Sequence, residues 1–372
     1  MFEYTISGQP EIKATRREIP TPEPGPDDVL IKVIVTDSNP KDWKASRGHD
    51  VEKGINQGDD ISGIIHAVGS NVYEYQPGDR VAAFHRMFTT HGSYAEYAIA
   101  PTSTTFRLPP NVSFEEGATI PLAAMTAALA LYQHLGLPLP WSNQGEAKNT
   151  PVLIFGGASA VGAFALKFAK LSGISPIITV AGNGIDFVRS QNVATHIVDY
   201  RKNGGQDIVP DILAALEGKT LKHAFDAISS QGSWDYIIRV LTDEANGNNA
   251  GGHINMVDPP SGNPVGNRFG SAKDWGFPDN VQFSRTFVSS AYGAKHTFRT
   301  QEEANKDGDF AYIFYRYIGR LLAEGTLTGH PFEIMPGGLE SVGDGVRRLF
   351  ENSVSAKKLV YRIADTPGGV EK

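Results

Sequence analysis

The chain has 372 residues, 40% apolar and 20% charged, with a formal net charge of −7 at pH 7. That length accommodates two domains with sizeable cores, and no basic run is present that would track a phosphate backbone, which excludes nucleic acid as a partner. Cysteine is absent, so disulfides, thiol nucleophiles and thiolate zinc sites are excluded as well.

The N-terminus, MFEYTISGQP, lacks an apolar signal core, and no apolar run is long enough to span a bilayer. A cytoplasmic protein without membrane partners is the expectation. A strand opens the chain, followed by the proline-rich turn IPTPEPGPDD at 19–28. VLIKVIVT at 29–36 is a β-branched, alternating strand, and SNPKDWKASRG at 38–48 reads as a polar loop ending in a short turn. DISGIIHAVGS at 60–70 gives strand and turn, YQPGDRVAAF at 75–84 turn and strand, and GSYAEYAIA at 92–100 another strand. Short strands between Gly and Pro turns predict a mostly-β domain up to about residue 120.

Beyond it the texture changes. PLAAMTAALALYQHLG at 121–136 reads as one long helix. Strands at 152–155, 177–181, 196–199, 224–228 and 253–257 then alternate with helices at 185–191, 208–216 and 232–241. That rhythm predicts an α/β domain with a doubly wound parallel sheet. Residues 258–280 are a Gly-, Pro- and Asn-rich surface loop, and 281–292 one more strand. A helix at 309–323, a strand near 332–334, a helix near 339–350 and a strand at 359–363 close the chain. The expected partition is 1–124 with 301–372 as a discontinuous β domain, and 125–300 inserted between them.

The most informative stretch is PVLIFGGASAVGAFALKFAKLS at 151–172. An apolar strand leads through Gly156, Gly157, Ala158, Ser159, Ala160, Val161 and Gly162 into an amphipathic helix. Strand, glycine turn and helix is the geometry that cradles a dinucleotide pyrophosphate against a helix N-terminus. The spacing departs from G-x-G-x-x-G at Ser159, which is read as a local variant supplying a hydroxyl donor to a phosphate.

The order of VLIKVIVTDSNPKDWK, GDDISGIIHAVGS, PGDRVAAF, GSYAEYAIA, the Met125-Thr126-Ala127 helix and GGASAVGAFALKFAK resembles the medium-chain dehydrogenase/reductase superfamily over essentially the whole length. More narrowly, the chain is similar to its zinc-independent quinone oxidoreductase and trans-enoyl reductase branch, in the fungal form. The resemblance implies a GroES-like substrate domain and an inserted Rossmann domain. It also places Asn39 and Asp59 where zinc-dependent relatives have ligands, so no metal is expected.

The second strand of the Rossmann pattern ends at Ala181, Gly182 and Asn183 without an acid to accept a ribose hydroxyl. Asp186 lies a turn into the next helix, whereas Arg189, Tyr200, Arg201 and Lys202 offer basic and hydroxyl groups. NADPH is therefore the expected cofactor. The resemblance adds Tyr200 near the adenosine phosphate and Thr126 at the nicotinamide end. Asn183, Ser229, Ser230 and Val257 complete the expected neighbourhood, the last three at strand carboxyl ends.

Hydride addition to an enone or quinone places negative charge on oxygen, which needs a hydrogen-bond donor and a proton source. The resemblance makes Lys44 and Asn39 the expected catalytic residues. His85 and His91, on the loop FHRMFTTHGSY, are further proton-donor candidates. The resulting expectation is a metal-free, NADPH-dependent reductase of a small-molecule enone or quinone. A trans-acting enoyl reductase of a polyketide pathway and a low-turnover NADPH-binding protein are the alternatives. The 281–292 edge strand suggests a homodimer.

Overall fold

The computed structural model describes residues 1–8, 11–46, 56–142, 145, 147–202, 207–229, 232–247, 250–257, 276–295 and 299–368. Ser230 and the 258–275 part of the expected surface loop lie outside them. Two compact units emerge, one from Met1–Met125 with Ser289–Lys372, the other from Thr126–Val288.

The first unit begins with a hairpin, β1 (Phe2–Ser7) and β2 (Lys13–Glu18), where a single strand was expected. β3 (Asp28–Ser38) leads directly into a helix, α1 (Pro40–Ser46). Residues 40–46 are thus helical, where the composition of 38–48 suggests a polar loop. Pro40 pre-sets the first helical φ, and Asp42 reaches back to accept the Asn39 backbone N–H at 2.8 Å, half of a capping box.

β4 (Asp60–Val68), β5 (Arg80–Phe84), β6 (Tyr97–Pro101) and β7 (Thr105–Arg107) follow, then α2 (Phe114–Ala118) and α3 (Pro121–Ala128). The expected strand at 92–100 starts only at Tyr97; ahead of it, Ala95 makes an isolated bridge to Glu3. The long helix expected over 121–136 is α up to Ala128 and continues as a π turn over Leu129–His134.

The second unit alternates β8 (Val152–Phe155), α4 (Ala160–Leu171), β9 (Ile177–Ala181), α5 (Ile185–Ser190), β10 (His196–Asp199), α6 (Val209–Ala215), β11 (His223–Asp226), α7 (Ser233–Thr242), β12 (Gly252–Met256) and β13 (Val281–Arg285). All six strands run parallel in the order β10-β9-β8-β11-β12-β13. The chain order reverses beside β8, and a crevice at such a switch point receives a ligand at the strands' carboxyl ends. β8 and β9 are buried on both faces, as a sheet covered by helices on either side requires. β13 stops at Arg285, short of the strand expected to reach 292; a 3₁₀ turn occupies Val288–Tyr292.

The chain returns to the first unit with α8 (Gln301–Ala323), β14 (Phe332–Ile334), α9 (Val342–Phe350) and β15 (Lys358–Arg362). α8 starts eight residues before the apolar periodicity predicts, because Thr300 and Glu303 form a complete capping box. β15 pairs antiparallel with β3 and so carries Lys358 to the end of β3 near Ser38. Among the described residues no helix is long and apolar enough to cross a membrane.

Candidate active site

The turn after β8 is built for close approach. Gly156 has φ +87°, and a Cβ there would run into Ile228. A Cβ on Gly162 would meet the Gly156 carbonyl, so helix α4 can pack this tightly only with glycine. Ser159 caps α4: its hydroxyl accepts the Gly162 N–H at 3.0 Å and donates to the Gly156 carbonyl at 2.8 Å. Its proton is thereby committed within the turn, and the first-turn N–H groups of Ala160 and Val161 are those without an intrahelical partner. That combination suits a pyrophosphate held by backbone donors and the helix dipole.

Further round the sheet, Ser229 (φ +55°) folds over the end of β11. Its hydroxyl donates to the Asp226 carbonyl at 2.9 Å and accepts the Val257 N–H at 3.1 Å, which brings Ser229 and Val257 together. Buried Asp226 organises this corner by accepting the Ser229 and Ile228 N–H groups and the Ser233 hydroxyl.

At the end of β9, a Cβ on Gly182 would strike the ring of Tyr200. The exposed phenol therefore lies against the strand end where an acid would otherwise stand. Arg201 forks onto Asp199, with Nε to Oδ1 and Nη2 to Oδ2 both at 2.9 Å, and its Nη1 donates to Asn183 Oδ1 at 3.1 Å. Those hydrogen bonds hold the Asp199 carboxyl down at about 2. Thr126 is buried on α3, as is Met125 before it.

In the first unit, one buried and one half-buried cation meet four buried aspartates. Asn39 is a hub: its Nδ2 donates to Asp60 Oδ2 at 2.7 Å and to Asp37 Oδ1 at 3.2 Å, while its Oδ1 accepts from Lys358 Nζ at 2.8 Å. Lys358 pairs in turn with Asp37 at 2.9 Å and Asp60 at 3.4 Å. Asp60 Oδ1 accepts the Leu122 N–H at 2.7 Å, tying this knot to the start of α3. Burial and the neighbouring Asp60 charge push the Asp37 carboxyl well up, against the pull of Lys358.

The second cation is Lys41, one residue into α1. Its Nζ lies 2.5 Å from Asp59 Oδ2, 3.0 Å from Asp42 Oδ1 and 2.6 Å from the Gln57 carbonyl. Asp42 is further held by the Tyr94 hydroxyl at 2.6 Å. Asp59 has no comparable donors, and burial raises its carboxyl to about 7 although Lys41 opposes the rise. An acid titrating near neutrality beside a fixed cation can hold and release a proton at working pH.

Sequence reasoning missed Lys41 because 38–48 was read as a loop. The available signal was Gly58-Asp59-Asp60, two adjacent acids entering an apolar strand, which demand buried cations. Lys44, three residues along α1, is half-buried instead, with its ammonium 5.5 Å from the Trp43 ring centroid; Trp43 itself meets Phe350 edge-on. His85 is buried, its Nδ1 donating to the Ile99 carbonyl at 2.6 Å, and burial lowers its pKa to about 4. His91 sits at φ +69° in the same loop. No cluster of three metal-ligating side chains occurs among the described residues.

Residues 25–110 match the alcohol dehydrogenase GroES-like domain family. The chain is 37% identical over 340 residues to the trans-enoyl reductase fsr4 of Gibberella fujikuroi, covering 91% of each chain. It is 30% identical to the trans-enoyl reductase fsa3 of a Fusarium species, over 91% of this chain and 92% of that one. Among solved structures, the quinone oxidoreductase of Coxiella burnetii superposes with a TM-score of 0.66 at 23% identity, covering 98% of this chain and all of the other.

Proposed function

Since the chain belongs to the family of fungal trans-enoyl reductases, we propose that it is an NADPH-dependent reductase of α,β-unsaturated carbonyls, with enoyl thioesters as the preferred acceptors. The chain is an oxidoreductase of the medium-chain dehydrogenase/reductase type and takes a nicotinamide cofactor. The choice of NADPH is supported by Gly182 in place of an acid and by the Tyr200–Arg201 pair beside it. When bound, the nicotinamide supplies a hydride to the β-carbon of the acceptor. Gly156, Gly157, Ala158, Ala160, Val161 and Gly162 would hold its pyrophosphate, and Ser229 and Val257 its path along the strand ends.

The observation that carries the reductase chemistry is the pairing of half-buried Lys41 with buried Asp59. Asp59, titrating near 7, donates the proton that the α-carbon needs once the β-carbon has taken the hydride. Lys41 fixes that carboxyl and balances its charge after transfer. Asn39 acts through its hub, holding the start of α1; Lys44 is the second lysine of that helix to test. The edge position of β13 supports a homodimer, and the protein is taken to work in the cytoplasm.

The test is NADPH oxidation by the purified protein with an enoyl thioester, a free enone and a quinone. Fastest turnover of the thioester is expected. Preference for the quinone would favour the free-standing detoxifying reading, and cofactor binding without any turnover would leave a binding protein.

A further inference from the structure

The proton at carbon is only half of the chemistry. Adding hydride to the β-carbon moves the C=C π pair toward the carbonyl, so an enolate oxygen gains charge before the α-carbon takes its proton. That oxygen requires its own hydrogen-bond donor, and a donor preorganised for it is worth about 10²–10³ in rate. The donors nearest Asp59 are already spent. All three Lys41 protons face Asp59, Asp42 and the Gln57 carbonyl. Both Asn39 amide protons face aspartates.

A neutral donor lies within electrostatic reach of Asp59. Tyr292 ends the 3₁₀ turn Val288–Tyr292, half-buried, with its ring centroid 5.9 Å from that of Phe84. Phe84 is the register partner of Asp60, and the next N–H, that of His85, donates to the Asp59 carbonyl at 2.8 Å. The Met87 N–H donates to the phenol oxygen at 3.2 Å, which fixes where the hydroxyl sits. Ser289 is its other hydrogen-bonding neighbour. Among the described residues no carboxylate or carbonyl oxygen takes the phenol's own proton.

We propose that Tyr292 is a catalytic residue whose hydroxyl donates to the developing enolate oxygen, while Asp59 supplies the proton at carbon. The inference rests on the reductase reading above. Burial, reinforced by the Asp59 charge, holds the phenol protonated throughout the neutral range, so it serves as a donor and keeps its proton. The two groups thereby divide the work, one titrating near neutrality and the other not.

Tyr292→Phe keeps the ring against Phe84 and removes only the hydroxyl. The expected result is a fall in kcat of about 10²-fold on an enoyl thioester, with KM within about threefold and NADPH affinity unchanged. A readout without turnover is 4-nitrophenolate, an oxyanion probe, titrated by absorbance into the protein free of cofactor. Wild type should bind it at least about tenfold more tightly than Tyr292→Phe, since one charge-assisted hydrogen bond is lost. An undiminished kcat in the variant, or equal phenolate affinity, overturns the assignment and leaves the reductase reading intact. Wild-type protein that binds NADPH yet reduces no enoyl thioester, enone or quinone overturns that reading and this one together.

Discussion

Lys41 Nζ and Asp59 Oδ2 lie 2.5 Å apart, yet the carboxylate of this pair is pushed up to about 7. The reason is local crowding. Burial costs Asp59 its hydration, and the Asp42 charge on the far side of Lys41 repels it. Asp42 shares the same lysine but also accepts from the Tyr94 hydroxyl and the Asn39 N–H, donors that Asp59 lacks. A buried carboxyl raised in this way is the pattern by which an acid can be assigned.

The pH profile should show it. With Asp59 as proton donor, kcat declines as pH rises through about 7, where that carboxyl loses its proton. Asp59→Asn should abolish this limb and lower kcat by about 10²-fold, the usual worth of general-acid catalysis. Lys41→Met should shift the limb to higher pH, because removing the cation removes the one influence pulling the Asp59 pKa down. Lys44→Ala should lower turnover less than Lys41→Met and leave the limb in place. A limb that stays put in Asp59→Asn assigns the proton to another group.

The architecture was legible because it is written in periodicity and turns. β8, the glycine turn and α4 are contiguous, so Gly156 to Gly162 could be placed without knowing the rest of the fold. The ion-pair site was not, since its parts come from α1, the Asn56–Asp60 segment, the Tyr94 region and β15. Lys358 is more than three hundred residues from Asn39, and only the β15–β3 register joins them. Nor could the Ser159 hydroxyl be assigned from its chemistry alone; the cap geometry decides that its proton goes to Gly156.

Lys358 should matter to stability before it matters to rate. It is buried with Asp37 and Asp60, and deleting one partner of such a cluster costs about 3–5 kcal/mol because the remaining charge is stranded. Lys358→Met should lower the denaturant midpoint accordingly. Adding Asp37→Asn to the same chain should recover part of the loss, as it removes a carboxyl left without its cation. Purely additive losses in the double variant would show that the two side chains are not coupled.

Cofactor choice can be read at Arg201. Its guanidinium is held by Asp199, at the end of β10, and by Asn183, just past β9. Arg201→Ala should weaken NADPH by about tenfold, equivalent to about 1.4 kcal/mol for a charged hydrogen bond, and leave NADH unchanged. Fluorescence titration of both cofactors measures the ratio directly. Equal weakening of the two would mean that Arg201 supports the strand end rather than a 2′-phosphate.

His85 gives a prediction about acid stability that is separate from turnover. Its ordinary value of 6.5 falls to about 4 in the folded chain, chiefly through burial, although the Ile99 and Thr89 carbonyls pull the other way. The unfolded chain therefore binds a proton more readily than the folded one between those values. The stability that His85 contributes is complete above about pH 6.5 and is lost progressively as pH falls toward 4. Unfolding by urea at pH 7.5, 6, 5 and 4.5 should show wild type losing stability faster than His85→Gln, whose amide does not titrate. The variant should start lower, because its side chain fills the His85 site less well, and the two curves should converge in acid. Parallel curves would place the acid sensitivity elsewhere, with the half-buried His223 and His253 of the parallel sheet next in line, both of them also lowered by burial.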